Sequence, residues 1–382
     1  MSPATGPESV PAFSPAEQAW MHEALTLAER AVGLCEPNPR VGCVIVAADG
    51  ARVLGRGHTQ AAGDAHAEVM ALREAAAQGA TPRGATAYVS LEPCAHHGRT
   101  PPCCDALVAA GLARVVVAVV DPNPRVAGAG IARLRAGGVQ VDVGLLEQEA
   151  RELNIGFFSR MTRGLPWLRL KAAVSLDGRS ALPDGTSQWI TGETARTDGH
   201  AWRRRAGALL TGVGTVIDDD PRLDVRLVAT ARQPLRVIVD SRLQTPPAAR
   251  VLDAPGTVLV YAAQPVPERE AALRARGAEV AFAANAAGKV DLRVMLEDLA
   301  ARGINELHVE AGAKLNGSFV RADLVDEWLV YMAPRLLGSG RDLAAFGPLQ
   351  SLDESVNLRL QAVDRVGADL RLLLRRAGDD TA

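Results

Sequence analysis

Three of the chain's five cysteines, with two histidines, fall within PCAHHGRTPPCC, residues Pro93–Cys104, and upstream stands His66-Ala-Glu68. If one ion joins these stretches, the fold must bring two helix starts together. One helix begins in HAEVMALREAAAQG and the other in PPCCDALVAAGL, while the strand GATAYVSLEP delivers Cys94 between them. A sheet with helices packed on its faces meets that demand. Catalytic zinc takes three protein ligands and leaves a fourth position for water, whose pKa falls to roughly 7. His66, Cys94 and Cys103 offer one imidazole and two thiolates. Each is expected at or just before a helix start, where the positive end of the helix favours a thiolate. Glu68, two residues past the histidine, is expected as the base that takes the water's proton and later delivers it.

The same residues have plainer readings. An isolated H-x-E is a structural histidine near a carboxylate, and irregularly spaced cysteines are a structural zinc knuckle or small core residues. Cys104 rivals Cys103 as a ligand, although one helical position turns it about a quarter circle away. The strand–helix order of the whole set favours the catalytic metal. Cys35 and Cys43 read as core cysteines, His22 and His200 as surface residues. An odd cysteine count without regular spacing argues against a disulfide framework and for a reducing compartment. Net charge is −2, from 42 basic and 44 acidic side chains, so no cationic surplus invites nucleic acid. MSPATGPESVPAFSP lacks the basic start and apolar run of a signal peptide. No stretch approaches the ~18 apolar residues of a membrane span. A soluble cytoplasmic protein without nucleic-acid or membrane partners is expected.

Length favours two domains. Residues 1–13 read as a disordered tail and 14–163 as a first domain, opened by the capping signal Ser14-Pro15-Ala16-Glu17. VGCVIVAADGARVLGRGH reads as a hairpin turned at Asp49-Gly50. A helix over Ala129–Ala136 and a long helix over Glu147–Met161 complete a sheet of about five strands covered on both faces, a three-layer α/β/α sandwich. After Gly and Pro punctuation near Arg163–Pro166, residues 166–378 read as a second α/β domain. Its strands are expected near Leu168–Ser175, Ala208–Gly212, Leu235–Asp240, Thr257–Ala262, Glu306–Glu310 and Glu327–Ala333. Helices are expected over Thr194–Arg205 and Leu292–Arg302.

H-x-E followed by P-C-x-x-C is the pattern of the zinc nucleobase deaminases, with the glutamate as proton shuttle. Here the second spacing is C-x8-C. PNPRVGCVIV, HAEVMAL, LEPCAHHGRTPPCCDAL and DPNPRVAGAGIARLRAGG together resemble the bifunctional deaminase/reductase family of riboflavin biosynthesis, in which the longer spacing is normal. KAAVSLDGRSA, SQWITG, DDPRLDVR, VIVDS, HVEAG and APRLLGSG resemble its reductase half, so the likeness runs from about residue 14 onward. The resemblance implies a cytidine-deaminase-like first domain and a dihydrofolate-reductase-like second domain. It implies zinc-dependent deamination of 2,5-diamino-6-ribosylamino-4-pyrimidinone 5′-phosphate, then reduction of the ribosyl chain to ribityl by NADPH. His66, Cys94 and Cys103 carry over as zinc ligands, Glu68 as proton shuttle, and Asn38, His58, His96 and Arg99 as pyrimidine or phosphate contacts. A homo-oligomer acting on a phosphorylated small molecule is expected.

Read physically, the second half has no G-x-G-x-x-G opening a helix. EAGAKLNGSF (Glu310–Phe319) runs from a strand end through small residues into a helix, a common β–α turn that also presents backbone N–H groups to a phosphate. By resemblance, cofactor contacts fall on Ala173, Trp189, Thr215, Asp219, Ser241 and the loop Gly312, Ala313, Lys314, Leu315, Asn316, Gly317 and Ser318. Sugar-phosphate contacts fall on Ser187, Arg203, Leu223, Arg226 and Glu310. Lys171, one of three lysines in the chain, is either beside the nicotinamide or a surface residue. Arg204 and Arg205 read as a solvated helix face. Two alternatives stay open for the second half: an accessory nucleic-acid-binding domain, or a non-catalytic module appended to a zinc nucleobase deaminase.

Overall fold

The computed structural model describes residues 13–96, 101–124 and 126–377, so the expected tail lies, but for Phe13, outside the described residues. Helix α1 (Pro15–Glu29) starts where its capping chemistry dictates. The Ser14 hydroxyl accepts the Glu17 N–H at 3.3 Å, and the Glu17 carboxylate accepts the Ser14 N–H at 2.8 Å. Two donors that a helix start would orphan are thereby satisfied. Strands β1 (Gly42–Val46) and β2 (Val53–His58) form the expected antiparallel hairpin, with Gly50 left-handed in the turn.

The chain divides into two compact units, residues 1–163 and 164–382. In the first, α2 (Ala67–Ala77), β3 (Thr86–Val89), α3 (Cys103–Ala109), β4 (Arg114–Val117), α4 (Ala129–Ala136) and β5 (Gln140–Val143) follow the hairpin. The sheet order is β2-β1-β3-β4-β5, with β3, β4 and β5 parallel. Glycines decide how closely the first two helices approach it. A Cβ on Gly42 would stand 1.8 Å from the Ala24 carbonyl oxygen of α1, and one on Gly57 would stand 2.1 Å from that of Ala67 in α2. Gly57 lies opposite Cys43 in the ladder, so it shares the face of Cys43, and Gly42 takes the other. Helices α1 and α2 therefore cover opposite faces, giving the three layers expected.

One expectation fails here. In place of a single helix over Glu147–Met161 there are two, α5 (Glu147–Leu153) and α6 (Ile155–Arg163), broken at Asn154. The Asn154 side chain accepts the Arg40 N–H and donates to the Arg40 carbonyl, each at 2.8 Å. A contact across more than a hundred residues overrides the local helical pattern.

The second unit holds β6 (Trp167–Ser175), β7 (Arg179–Ala181), α7 (Glu193–Arg205), β8 (Ala208–Gly212), α8 (Val213–Asp219) and β9 (Leu235–Val239). It continues with α9 (Arg250–Asp253), β10 (Val258–Ala262), α10 (Pro267–Ala275), β11 (Glu279–Phe282), α11 (Leu292–Ala301) and β12 (Glu306–Val309). It closes with α12 (Ala313–Arg321), β13 (Glu327–Ala333), β14 (Arg341–Asp342), β15 (Leu358–Val366) and β16 (Asp369–Arg376). Nine strands pair in the order β11-β10-β9-β8-β12-β6-β13-β16-β15. The first seven are parallel, while β16 and β15 add as an antiparallel hairpin. The six expected strands are present; β11 and the terminal hairpin are additions to them.

Buried charge ties three of these strands together. Arg169 on β6, 2 % exposed, pairs with Glu306 of β12 at 2.9 Å and with Glu327 of β13, and Trp202 lies over its guanidinium. Arg205 joins Glu306 at 2.8 Å and Arg375 joins Glu327 at 3.0 Å. Arg205 is thus a partner of a buried carboxylate and not part of a solvated face.

Candidate functional site

Helix α2 positions the first two functional side chains. His66 is its N-cap and Glu68 lies in its first turn, 3 % exposed. The glycines of β2 set the height of this helix. Gly55 and Gly57 face α2 one helical turn apart, each with a helix carbonyl within about 2 Å of where a Cβ would stand. Cys103 is the first residue of α3. Cys94 stands in the loop after β3, not at a helix start as expected. The ligand atoms of His66, Cys94 and Cys103 all lie within 4.8 Å of one another. His66 Nδ1 is 3.6 Å from the Cys94 sulfur and 3.3 Å from that of Cys103. Tetrahedral zinc with ordinary bond lengths separates such donors by about 3.6 Å, so this set fits that ion.

Cys104 points elsewhere: its thiol donates to the Pro93 carbonyl at 3.2 Å and the Gly130 carbonyl at 3.5 Å. That removes it as a rival to Cys103. Hydrogen bonding from Cys103, helped by His66, holds the Cys94 thiol down at about 4, while the Cys103 thiol is pushed up by Cys94 and by burial. Burial, reinforced by the charge of Cys94, raises Glu68 to about 7. Cys43, buried on the α2 face of β1, is a core cysteine as expected, and so is Cys35.

Of the other expected contacts of this unit, the fold places His58 and Asn38 about the start of β1. The Gly42 N–H donates to Ser90 Oγ at 3.0 Å, which places the start of β1 beside the chain leaving β3 for Cys94. His58 pairs with Gly42 across the hairpin, and Asn38, half-buried, lies in the turn before β1. Burial and Arg30 lower the His58 pKa. His96 is exposed. Arg99 lies outside the described residues.

In the second unit one face of β6, β12 and β13 is polar beneath α7. Glu310, following β12, meets Arg203 of α7 at 2.5 and 3.0 Å, Lys171 at 3.6 Å and His308 at 3.4 Å. Burial works to raise the Glu310 carboxyl, but Arg203 and Lys171 outweigh it and hold it well below the usual range. Lys171 is half-buried here, its ammonium turned toward Glu310. Arg203 also donates to the Asp224 carbonyl at 2.8 Å, and the Asp224 carboxylate holds Arg222 at 2.9 Å and Arg226 at 2.6 Å. His200, expected at the surface, is 4 % exposed and accepts the Arg226 N–H at Nδ1. Sequence reasoning missed Asp224 and His200. The carboxylate between two arginines in DDPRLDVR was the available signal. Leu223, buried and left-handed, makes the turn that aims this loop.

Strand order reverses between β8 and β12, so the crevice at their carboxyl ends is a topological switch point. Gly212 and Gly312 lead from these strands into α8 and α12. A Cβ on Gly212 would be 3.1 Å from Leu315, and one on Gly312 would be 3.7 Å from Thr215 Oγ. Helix α12 has no side-chain cap, so its first-turn N–H groups are open to a phosphate such as a dinucleotide carries. Burial raises the Asp219 carboxyl, and the nearby Ser187 hydroxyl works against that rise. Of the loop residues, Lys314 is exposed and the Ser318 hydroxyl donates to the Lys314 carbonyl. Asn316 and Gly317 turn inward: the Asn316 amide donates to the Leu343 carbonyl, and Gly317 lies against Ala345. Ala313 is half-buried at the head of α12, and Ala173 shares the Lys171 face of β6. Ser241 Oγ accepts the Val290 N–H, and Trp189 is 58 % exposed under Arg196.

Known proteins agree with both halves. Residues 14–119 match the family model of the cytidine and deoxycytidylate deaminase zinc-binding region, and residues 166–372 match that of the RibD C-terminal domain. The riboflavin biosynthesis protein RibD of Escherichia coli is 44 % identical over 371 residues, covering 94 % of this chain and 99 % of the relative. The Aquifex aeolicus RibD is 41 % identical over 94 % and 98 % of the two chains. Among solved structures, Acinetobacter baumannii RibD superposes with TM-score 0.86 at 41 % identity over 95 % of this chain and 99 % of that one. The Thermotoga maritima diaminohydroxyphosphoribosylaminopyrimidine deaminase/5-amino-6-(5-phosphoribosylamino)uracil reductase does so at 0.84 and 32 % over the same shares. The chain belongs to the RibD family, the bifunctional deaminase/reductases of riboflavin biosynthesis.

Proposed function

We propose that the two reactions run on the two clusters described above. His66, Cys94 and Cys103 would hold zinc, which supplies a Lewis acid that makes water nucleophilic near neutral pH. Glu68, beside the cluster, takes the proton of the attacking water on a carboxylate oxygen and returns it to the departing amine. A C–O bond forms, a C–N bond breaks and ammonia leaves. Asn38, His58, His96 and Arg99 are proposed to hold the pyrimidine and its phosphate. In the second unit Arg203 and Arg226 bind the sugar phosphate with planar, multi-donor cations. Ser187, Leu223, Glu310 and Lys171 orient the ribosyl chain. Ala173, Trp189, Thr215, Asp219, Ser241 and the head of α12 would hold NADPH, which would supply a hydride to C1′ with a proton from solvent completing the reduction.

The single observation that carries this reading is the His–Cys–Cys donor set with a buried glutamate in the first turn of the helix that His66 caps. The diamino substrate, supplied with and without NADPH and its products weighed by mass, should yield the deaminated species alone, then the ribityl species. Chelation should abolish the first step and spare NADPH oxidation by the deaminated product. Equal loss of both would defeat the two-site reading. A cytoplasmic location and a homo-oligomer complete the proposal. Among the described residues no helix is long and apolar enough to cross a membrane. The edge strand β15 carries Leu360 and Val363 more than half exposed, a surface that light scattering of the purified chain would find paired.

A further inference from the structure

Glu92, two residues before Cys94, is 3 % exposed and has no part in the mechanism above. Its carboxylate accepts four backbone N–H bonds. Asp121, in the loop after β4, donates at 3.1 Å, and Gly128, Gly130 and Ile131 of the α4 start donate at 3.0, 2.8 and 3.2 Å. The N-cap of α4 is Gly128, left-handed and without a side chain to cap the helix. Glu92 therefore caps α4 from another element, with its negative charge at the positive helix end.

The same grip fixes the ligand loop residue by residue. The Glu92 N–H donates to the Val119 carbonyl at 3.0 Å. The Pro93 carbonyl is held by the Cys104 thiol and lies 2.0 Å from where a Gly130 Cβ would be, so α4 presses against it. The Cys94 carbonyl accepts the Cys104 N–H at 3.3 Å, and its sulfur accepts the Cys103 N–H at 3.4 Å. Beyond it, Arg133 of α4 donates to the Ala95 carbonyl at 3.0 Å and pairs with Asp105 of α3 at 2.6 Å. Helix α4 holds the loop on both sides of Cys94.

We propose that Glu92 is a positioning residue for the metal centre: by clamping the start of α4 it fixes Cys94 at the distance that the cluster requires. The inference rests on Cys94 being a zinc ligand. Outer partners of metal ligands are worth roughly 10–100-fold in affinity. Glu92→Gln keeps the shape, but its amide can accept only about half of the four bonds. Glu92→Asp keeps the charge and loses the reach. Leu134→Ala, fully buried on the same helix, destabilises α4 without touching the clamp.

The test is competition for zinc between each full-length variant and a chromophoric chelator, with the thiolate charge-transfer band of the cobalt-substituted proteins alongside. Cys94→Ser should lose zinc, and Glu92→Gln should bind it about 10–100-fold more weakly with an altered cobalt band. Leu134→Ala should match wild type in both readouts despite a lower Tm. Should Glu92→Gln be insoluble, Glu92→Asp carries the same comparison. Wild-type affinity in the Glu92 variants, or equal zinc loss in Leu134→Ala, would overturn the inference. Zinc retained by Cys94→Ser would instead defeat the ligand assignment beneath it.

Discussion

Gly57→Ala tests whether the height of α2 above the sheet sets the geometry of the first reaction. The added Cβ would stand 2.1 Å from the Ala67 carbonyl oxygen and 2.6 Å from the Ala71 nitrogen, both backbone atoms that no rotamer change can move aside. Relief to ordinary contact requires α2 to retreat by about 1 Å, and overpacking of this kind costs about 1–3 kcal/mol. His66 and Glu68 ride on the first turn of that helix. A displacement of ~1 Å at reacting groups costs on the order of a hundredfold in rate. Deamination should fall by about that factor, measured as ammonia release from the diamino substrate at saturating zinc. NADPH oxidation by the deaminated product, at the other unit, should be unchanged. Gly50→Ala is the control: its Cβ meets nothing within 4 Å, so it strains a turn without touching α2. If Gly57→Ala deaminates within about threefold of wild type, or loses no more than Gly50→Ala, the contact does not position the helix.

Glu68→Gln should leave zinc bound while deamination falls at least about 10²-fold, checked by metal analysis and product mass; retained turnover would remove Glu68 from proton transfer. Burial, with Arg203 and Arg226, depresses the His200 pKa from 6.5 to about 4, so the unfolded chain takes up the proton first as pH falls. Its contribution to stability is therefore complete above about 6.5 and declines toward 4, a slope that denaturant titrations should find flattened in His200→Asn. Arg169→Met strands Glu306 and Glu327 with one cation fewer and should cost about 3–5 kcal/mol in the second unit; a loss under ~1 kcal/mol would show the cluster to be weakly coupled.

Signals confined to a few neighbouring residues are legible in the amino-acid order alone. The capping box at Ser14 and the H-x-E of α2 depend on contacts within one helical turn, and both form where the spacing puts them. What escapes depends on distant partners. Nothing in Glu147–Met161 announces that Arg40 will claim Asn154 and break the helix. The burial of His200 is set by the Arg203 and Asp224 surroundings, and Arg205 is drawn inward by Glu306, a hundred residues on. Strand β16 breaks the alternation with Leu372-Leu373-Leu374, and most of β15 stays exposed, so the hairpin lacks the contrast of a core strand. In the sequence Glu92 is mere spacing before a cysteine, and only the fold shows four amides converging on it.

The arginine–glutamate knot beneath Trp202 has a bearing on how the second unit finds its form. On their other face strands β6, β12 and β13 carry mostly interchangeable aliphatics, Leu168, Leu170, Leu307, Val309 and Val330 among them, which would tolerate sliding by a step or two. Any such slip would leave Arg169 facing hydrocarbon, with its countercharges displaced to the wrong rung. Three segments, the first separated from the others by well over a hundred residues, thus share one electrostatic key. Sequence drift can rewrite the greasy positions one at a time, whereas these charges can change only in concert.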